Sequence, residues 1–472
     1  MLREKSKWKH HKDQSTDAEH RGGATRSSVE VAVMAMERRG CVRWLILHTT
    51  EFQDEMENKT KQFTIPKQMV MQAYKLVKAN AGAAGVDEQS LQDFEENLKR
   101  NLYKIWNRMS SGSYFPPAVK AVPIPKKTGG KRILGIPTVS DRIAQTVVKL
   151  QFEPMIEPCF LQDSYGYRPN KSALEAVGVT RKRCWEYDWV LEFDIKGLFD
   201  NIPHSLLMKA VRKHTKCKWT ILYIERWLVA PMQLSDGTLI ERSRGAPQGG
   251  VISPVLSNLF LHYVFDMWMK TNHQRKPWCR YADDGLIHCR TELEAQQLMG
   301  ELKARFLECE LELHPKKTKI IYCKDGKRKK TYPVTSFDFL GYTFQPRGVK
   351  NIKSNNFFVN FTPAVSKSAL KSMRETTRKR NWRNRGDLSL NEIAKMYNPV
   401  LSGWLRYYGC YRKSAMNPVW RHFNKTLVAW VMRKYKPFQG SKTRAIIFLQ
   451  KIAEKEPHLF AHWKGGMRDT FA

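Results

Sequence analysis

Apolar residues recur at helical spacing from residue 66 to about 107, at Met69, Ala73, Leu76 and Val77, around the turn signal Ala81-Gly82-Ala83-Ala84-Gly85. The pattern then shortens. Residues 119–125 and 132–137 are strand-like runs joined by Lys126-Lys127-Thr128-Gly129-Gly130-Lys131, which predicts a hairpin with cations at its tip. Residues 189–193 predict a strand ending at Asp194, and 278–281 running on into 286–289 predict strand segments that bracket Asp283 and Asp284. Between them, 253–269 reads as one long apolar helix. After Gly348 the spacing is helical to the end of the chain, with a capping-box signature at Ser389-Leu390-Asn391-Glu392 and an apolar stripe at Val400, Leu401, Trp404, Leu405 and Tyr408. Strands alternating with helices, then helices alone, give an α+β class. Residues 1–60 are polar at first and then briefly apolar, and are expected to be a poorly ordered extension.

Composition adds a partner. The 472 residues carry a net charge of +36, yet 42% are hydrophobic and 11% aromatic. Such a chain builds cores and has charge to spare, which excludes a disordered basic tail. No uncharged apolar run approaches the roughly 18 residues of a membrane span, so no membrane is expected. Residues 351–472 hold 24 basic and 6 acidic side chains, half of the excess in about a quarter of the chain, whereas residues 1–60 are nearly balanced. Aromatics are interleaved with that charge, around Arg378, Lys379 and Arg380 and in Trp404-Leu405-Arg406-Tyr407-Tyr408. Phosphates take the charge and bases stack on rings, so these residues are candidates for RNA binding. Nine scattered cysteines form no C-x-x-C, which argues against zinc knuckles and disulfide scaffolds and points to a reducing, cytoplasmic compartment. The first 25 residues lack an apolar signal core.

Candidate chemistry lies in Tyr281-Ala282-Asp283-Asp284. Adjacent carboxylates at a hairpin tip are a poor choice for a core. If the strand ending at Asp194 is a neighbour, three carboxylates converge, and like charges that close raise one another's pKa unless cations intervene. In a polyanion-binding chain the natural cation is Mg²⁺, with Mn²⁺ a possible substitute. Two such ions about 4 Å apart clamp an in-line phosphoryl displacement, which is polymerase chemistry.

Several segments carry a family resemblance: FDIKGLFDNIPH at 193–204, GAPQGGVISPVLSNLFLH at 245–262, FDFLGYTF at 337–344, SYGYRP at 164–169, IPKKTGGKRILGIPTVSDRIAQ at 124–145 and NPVLSGWLRYYG at 398–409. In order and context they resemble group II intron-encoded reverse transcriptases with a maturase domain. The resemblance implies a right-hand polymerase, with fingers over 61–165, palm over 166–345, an all-helical thumb and maturase domain over 350–450, and a tail over 451–472. It makes Asp194 and Asp283 metal ligands, with the backbone carbonyl of Ile195 contributing and Asp284 beside them. Phe199 would be the gate against a ribose 2′-hydroxyl, although an ordinary core Phe is the alternative. Gln248 would line the nucleotide pocket, and Lys126 and Arg132 would grip the triphosphate, with Lys131 able to replace either. Lys317, or its neighbour Lys316, would protonate the leaving pyrophosphate. Phe339, Leu340 and Gly341 would form the primer grip. His204 and His262 read better as satisfied polar groups than as functional ones.

The implied partners are group II intron RNA, an RNA template with a DNA primer, dNTPs and target DNA; a dimer is one possible state. The family's larger members end in a nuclease domain with Cys pairs, which this sequence lacks. Cleavage of a second target strand is therefore not expected. Two alternatives stay open: a splicing-only RNA-binding maturase, and a domesticated reverse transcriptase in defence or repair.

Overall fold

Why the acidic residues meet is a matter of how the strands pair. The computed structural model describes residues 61–125, 129–350, 355–468 and 471. Lys126 and the extension over 1–60 lie outside them. The chain divides into Met1–Thr64 and Ile65–Ala472, and every element that positions the site belongs to the second unit.

Helices α1 (Lys67–Asn80), α2 (Leu91–Glu96) and α3 (Leu98–Ser110) bury Val70, Ala73, Phe94 and Trp106. Strands β1 (Val119–Pro125) and β2 (Lys131–Ile136) form the expected antiparallel hairpin, with Ile124 opposite Arg132. Helix α4 (Val139–Ile156) comes next, capped by Thr138, whose hydroxyl accepts from Asp141 N at 3.1 Å. Asp141 is buried and accepts from Tyr114 Oη, Trp227 Nε1 and Gln145 Nε2 at 3.0, 2.7 and 2.9 Å. Gln145 Oε1 accepts in turn from Val251 N at 2.7 Å, so this helix pins the segment just after Gln248.

Next come α5 (Ala173–Glu186), β3 (Trp189–Phe193), α6 (Leu198–Asn201), α7 (His204–His214), α8 (Lys218–Val229), β4 (Met232–Gln233), β5 (Leu239–Ile240) and α9 (Ser253–Leu261). The single helix expected over 253–269 is broken at a π-helical turn, His262–Asp266, before α10 (Met267–Asn272). That wide turn places Asp266 against the buried Arg280, and such insertions are frequent at functional sites. Then come β6 (Trp278–Tyr281), β7 (Asp284–Cys289), α11 (Glu292–Glu308) and β8 (Lys319–Tyr322). Two four-stranded sheets result, in the orders β2-β1-β4-β5 and β6-β7-β3-β8; the second is antiparallel throughout.

The helical pattern expected after Gly348 begins later. Strands β9 (Phe337–Phe339), β10 (Tyr342–Lys350) and β11 (Phe357–Val365) form a third sheet, and β10 crosses the boundary expected near 345. The run Phe357-Phe358-Val359-Asn360-Phe361 is rich in aromatic and β-branched residues, which favour a pleated surface over a helix. Helices α12 (Lys367–Lys379), α13 (Leu390–Tyr408), α14 (Asn417–Lys434), α15 (Lys442–Lys455) and α16 (Ala461–Lys464) then pack around Trp382, Tyr397, Trp420, Phe423 and Trp430. The capping box at Ser389 and Glu392 is present. Phe460, Trp463 and Phe471 are fully buried in this core, so the segment expected as a tail is part of its packing. The eight cysteines of the described residues are free thiols.

Candidate active site and nucleic-acid interface

Strand β3 ends at Phe193 and the antiparallel β7 begins at Asp284. Their register pairs Phe193 with Gly285, which brings Asp194 and Asp284 to the same end of the sheet. Tyr281 pairs with Asp284, so Ala282 and Asp283 are the two-residue turn between β6 and β7; Ala282 has a φ of 57°. Two glycines permit this arrangement. A Cβ on Gly285 would overlap the Phe193 ring, and one on Gly166 would overlap the backbone of Ala282.

Below the turn Arg280 is fully buried and uses all five donors: two on Asp266, at 2.7 Å each, and one each on Asn258 Oδ1, Ala282 O and Ser164 Oγ, at 3.1, 3.1 and 2.8 Å. Asn258 also donates to Gly166 O. One guanidinium thus ties the acidic turn to α9, to the π-helical turn and to the Ser164–Gly166 segment. Burial pushes the Asp266 carboxyl up, but the charge and hydrogen bonds of Arg280 outweigh it and hold the group below its ordinary range.

The carboxylates above repel one another. Burial, then the charge of Asp194, pushes Asp283 up. Asp284 is pushed up to about 7 by burial and by Asp283 and Asp194. Asp194 is 9% exposed and accepts from Lys317 Nζ at 3.0 Å. A fourth carboxylate had no sequence signal beyond its place in a strand: Glu192 is pushed up to about 7 by burial, against the pull of Lys319. It lines a small cavity with Asp284, Lys317, Lys319 and Asp338.

This donor set suits a hard divalent cation, since carboxylate oxygens crowded enough to resist ionisation gain most from one. Among the described residues no three His, Cys, Asp or Glu side chains are grouped closely enough to hold an ion alone. Mg²⁺ characteristically keeps waters and shares substrate phosphates, so one or two carboxylates suffice.

A cleft of about 750 Å³ opens beside the carboxylates and is lined by Asp194, Ile195, Phe199, Gln248, Asp283 and Lys317. Phe199 is 8% exposed, and its carbonyl accepts from Ala246 N at 2.6 Å. Gly245, at φ 83°, passes so close that a Cβ would lie 2.7 Å from Phe199 O. Arg132 Nε donates to Gln248 Oε1, and Gln248 Nε2 donates to both Asp200 oxygens at 3.2 Å. The β1–β2 hairpin is thereby coupled to the floor of the cleft. Lys131 lines the same cleft, as do Arg242, Arg244 and His314, which sequence reasoning missed. Arg244 directly precedes the Gly-Ala-Pro-Gln-Gly-Gly run, a signal that was available. His204 Nε2 lies 2.7 Å from Gly245 O, the satisfied structural role expected of it. His262 is buried 3.7 Å from an Asp266 oxygen, and its Nδ1 makes no hydrogen bond among the described residues, so it departs from that expectation.

The turn from β9 to β10 holds Leu340 and Gly341 at φ 51° and 79°. Tyr407 Oη donates to Leu340 O at 2.8 Å, and Tyr408 packs on Gly341. Tyr407 and Tyr408, expected on an RNA surface, are instead half-buried against this turn and the Tyr342 ring, because α13 needs an apolar seam against the third sheet. Trp404 and Tyr408 line a groove with Ser368, Ser372 and Thr376 of α12. Arg378, Lys379, Arg380 and Arg406 are exposed.

Residues 124–344 match the reverse transcriptase (RNA-dependent DNA polymerase) family, and residues 370–446 match the group II intron maturase-specific domain. Protein YkfC of Escherichia coli is 32% identical over 284 residues, which cover 52% of this chain and 74% of that protein. Group II intron-encoded protein LtrA of Lactococcus lactis is 30% identical over 294 residues, covering 60% of this chain but 46% of its own length. A putative COX1/OXI3 intron 1 protein of Saccharomyces cerevisiae is 28% identical over 218 residues, or 46% of this chain and 26% of that protein. With its acidic sheet end inside the first matched region and its basic helices in the second, the chain belongs to the reverse transcriptase family, in the branch that carries a group II intron maturase domain.

Proposed function

We propose that the protein is an RNA-directed DNA polymerase that also binds group II intron RNA and assists its splicing and retromobility. The observation that supports this reading is the register of β3 and β7, which brings Asp194, Asp283 and Asp284 to one end of the sheet, with Asp194 and Asp283 lining a cleft walled by Arg132, Gln248 and Lys317. Asp194 and Asp283, with the carbonyl of Ile195, would hold Mg²⁺, and Asp284 would add negative charge beside them; Mn²⁺ would fit the same oxygens. When bound, the ions supply charge neutralisation at the phosphates and activation of the attacking 3′-hydroxyl.

The chain's own groups do the rest. Arg132, on a hairpin at the cleft rim, offers a planar fork for the triphosphate of an incoming dNTP, and Lys131 offers a point charge. In the free protein Lys317 neutralises Asp194; with substrate bound, its ammonium would give a proton to the departing pyrophosphate. The Phe199 ring on the cleft floor would exclude a 2′-hydroxyl. The Phe339-Leu340-Gly341 turn would hold the primer end, braced by Tyr407 and Tyr408. Exposed Arg378, Lys379, Arg380 and Arg406 would contact intron RNA, and Trp404 would border that surface. Target DNA would enter the same cleft as primer. Among the described residues no helix is long and apolar enough to cross a membrane; we place the protein where its nucleic acids are, in the cytoplasm.

Primer extension on an RNA template is the test. DNA product that appears with Mg²⁺ and vanishes on chelation is expected; no magnesium-dependent product would leave RNA binding alone.

A further inference from the structure

The palm-type sheet has a second end. Strand β3 runs from Trp189 to Phe193, just before Asp194, and Trp189 pairs with Tyr322, so the loop after β8 lies about 15 Å from the carboxylates, at the opposite end of the sheet. That loop, Lys324-Asp325-Gly326-Lys327-Arg328-Lys329-Lys330, is held in one shape. Arg328 donates to Asp325, to Tyr187 O at 2.7 Å and to Cys184 O at 2.9 Å, and Gly326 N donates to Val359 O of β11 at 2.9 Å. Arg328 also pairs with Asp188, so Asp325 and Asp188 are both engaged by its guanidinium. Lys327, Lys329 and Lys330 are exposed and form no ion pair among the described residues.

Two further elements extend this surface. Arg290, at the far end of β7, lies over the Tyr187 ring at 5.2 Å, and Tyr187 is the residue whose carbonyl holds Arg328. The β10–β11 hairpin runs nine residues from the 339–341 turn, roughly 27 Å. Its distal end presents Lys350 beside Phe357, with Phe357 77% exposed and Phe358 and Val359 also exposed. A long exposed aromatic run on a strand is a liability that a soluble chain keeps for a use.

We propose that this basic and aromatic face is a second RNA-docking surface, separate from the polymerase cleft, that takes the phosphate backbone of a folded RNA helix and an adjoining unpaired base. Lysines acting as point charges suit sequence-independent phosphate contacts, and an exposed ring suits a splayed base. The proposal rests on the RNA-handling function of the polymerase and maturase reading and adds where a structured RNA sits while the cleft is filled. Template–primer bound at the carboxylates and the 339–341 turn leaves the opposite end of the sheet free.

The test places a benzoylphenylalanine photo-crosslinker at Phe357 of the full chain. The probe is an RNA hairpin of roughly 16 base pairs with an unpaired loop, and unlabelled template–primer is held at saturation. Crosslinking that persists under saturation is expected. It should fall severalfold in the variant Lys327→Gln/Lys329→Gln/Lys330→Gln, whose salt dependence of hairpin binding should lose a slope of about 2 to 3. Absence of a crosslink, its removal by template–primer, or indifference to the three lysines would overturn the proposal. Lysine-dependent binding to phosphatidylserine vesicles without an RNA crosslink would overturn it in favour of a lipid surface. Primer extension by the triple variant should match that of the parent, which separates failure of this surface from failure of the polymerase reading.

Discussion

Arg280 and Asp266 form a fully buried ion pair directly beneath the acidic turn, with two donors of the guanidinium on the two carboxylate oxygens. The other three donors are spent on Asn258, Ala282 and Ser164, so no proton of the group is left unmet. Removing either partner strands a charge in the core. Asp266→Ala or Arg280→Ala should cost about 3 to 5 kcal/mol of unfolding free energy, read by denaturant titration. Arg280→Lys should restore part of the stability but little of the polymerase rate, because an ammonium lacks the fork that reaches Ala282 and Asp266 together. Equal recovery of both would show that the pair serves stability alone.

Gly166 is a sharper probe of the same turn. A methyl group there meets the backbone of Ala282, which must move, and Asp283 moves with it. Displacement by about 1 Å commonly costs a hundredfold in rate. Gly166→Ala should therefore lower kcat far more than it lowers the unfolding midpoint; loss of stability without loss of rate in the folded fraction would contradict this geometry.

Metal affinity should depend on pH in a defined direction. Burial and the charges of Asp283 and Asp194 push Asp284 up to about 7, and Asp283 is raised above its ordinary value, so below pH 7 a proton competes with the cation at this cluster. Binding must then release a proton, and affinity should climb by up to about tenfold per unit as pH rises toward 7, then level off. Mn²⁺ binding followed by electron paramagnetic resonance across this range checks the slope. A flat profile from pH 5 to 8 would mean that the cation does not bind at this carboxylate cluster.

How much of this was legible in the sequence depends on range. The hairpin of β1 and β2, the strand before Asp194 and the capping box at Ser389 are local patterns, and each stands where the periodicity put it. The π-helical turn at His262–Asp266 was not legible, because an apolar helix with one extra residue per turn has nearly the same pattern as one without. Strand β11 was hidden by its continuity with the helix after it. In the site, Asp194 and Asp283 could be named because strand ends and turns are readable. Glu192 and Arg242 could not, since their place depends on a cleft formed by distant segments, whereas Arg244 was within reach because it directly precedes the Gly-Ala-Pro-Gln-Gly-Gly run. Tyr407 and Tyr408 mislead in the opposite sense: their aromatic and basic neighbours suggest stacking on bases, whereas the helix needs those rings for its seam.

Phe199 can be separated from an ordinary core residue by its effect on substrate choice. Phe199→Val should raise incorporation of ribonucleotides relative to deoxyribonucleotides by tenfold or more, roughly what one lost steric contact in a pocket is worth. The measurement is the ratio of kcat/KM values for a matched pair of triphosphates. An unchanged ratio with reduced stability would leave Phe199 as packing.

The most direct measurement compares two activities in one variant. Asp283→Ala/Asp284→Ala removes both carboxylates of the turn while leaving the basic helices of the C-terminal region untouched. DNA synthesis on an RNA template should fall below detection, while intron RNA binding and assisted splicing stay within about twofold of the parent, given that sites more than about 10 Å apart without shared partners behave independently. Retention of DNA synthesis, or loss of both activities together, would contradict the account.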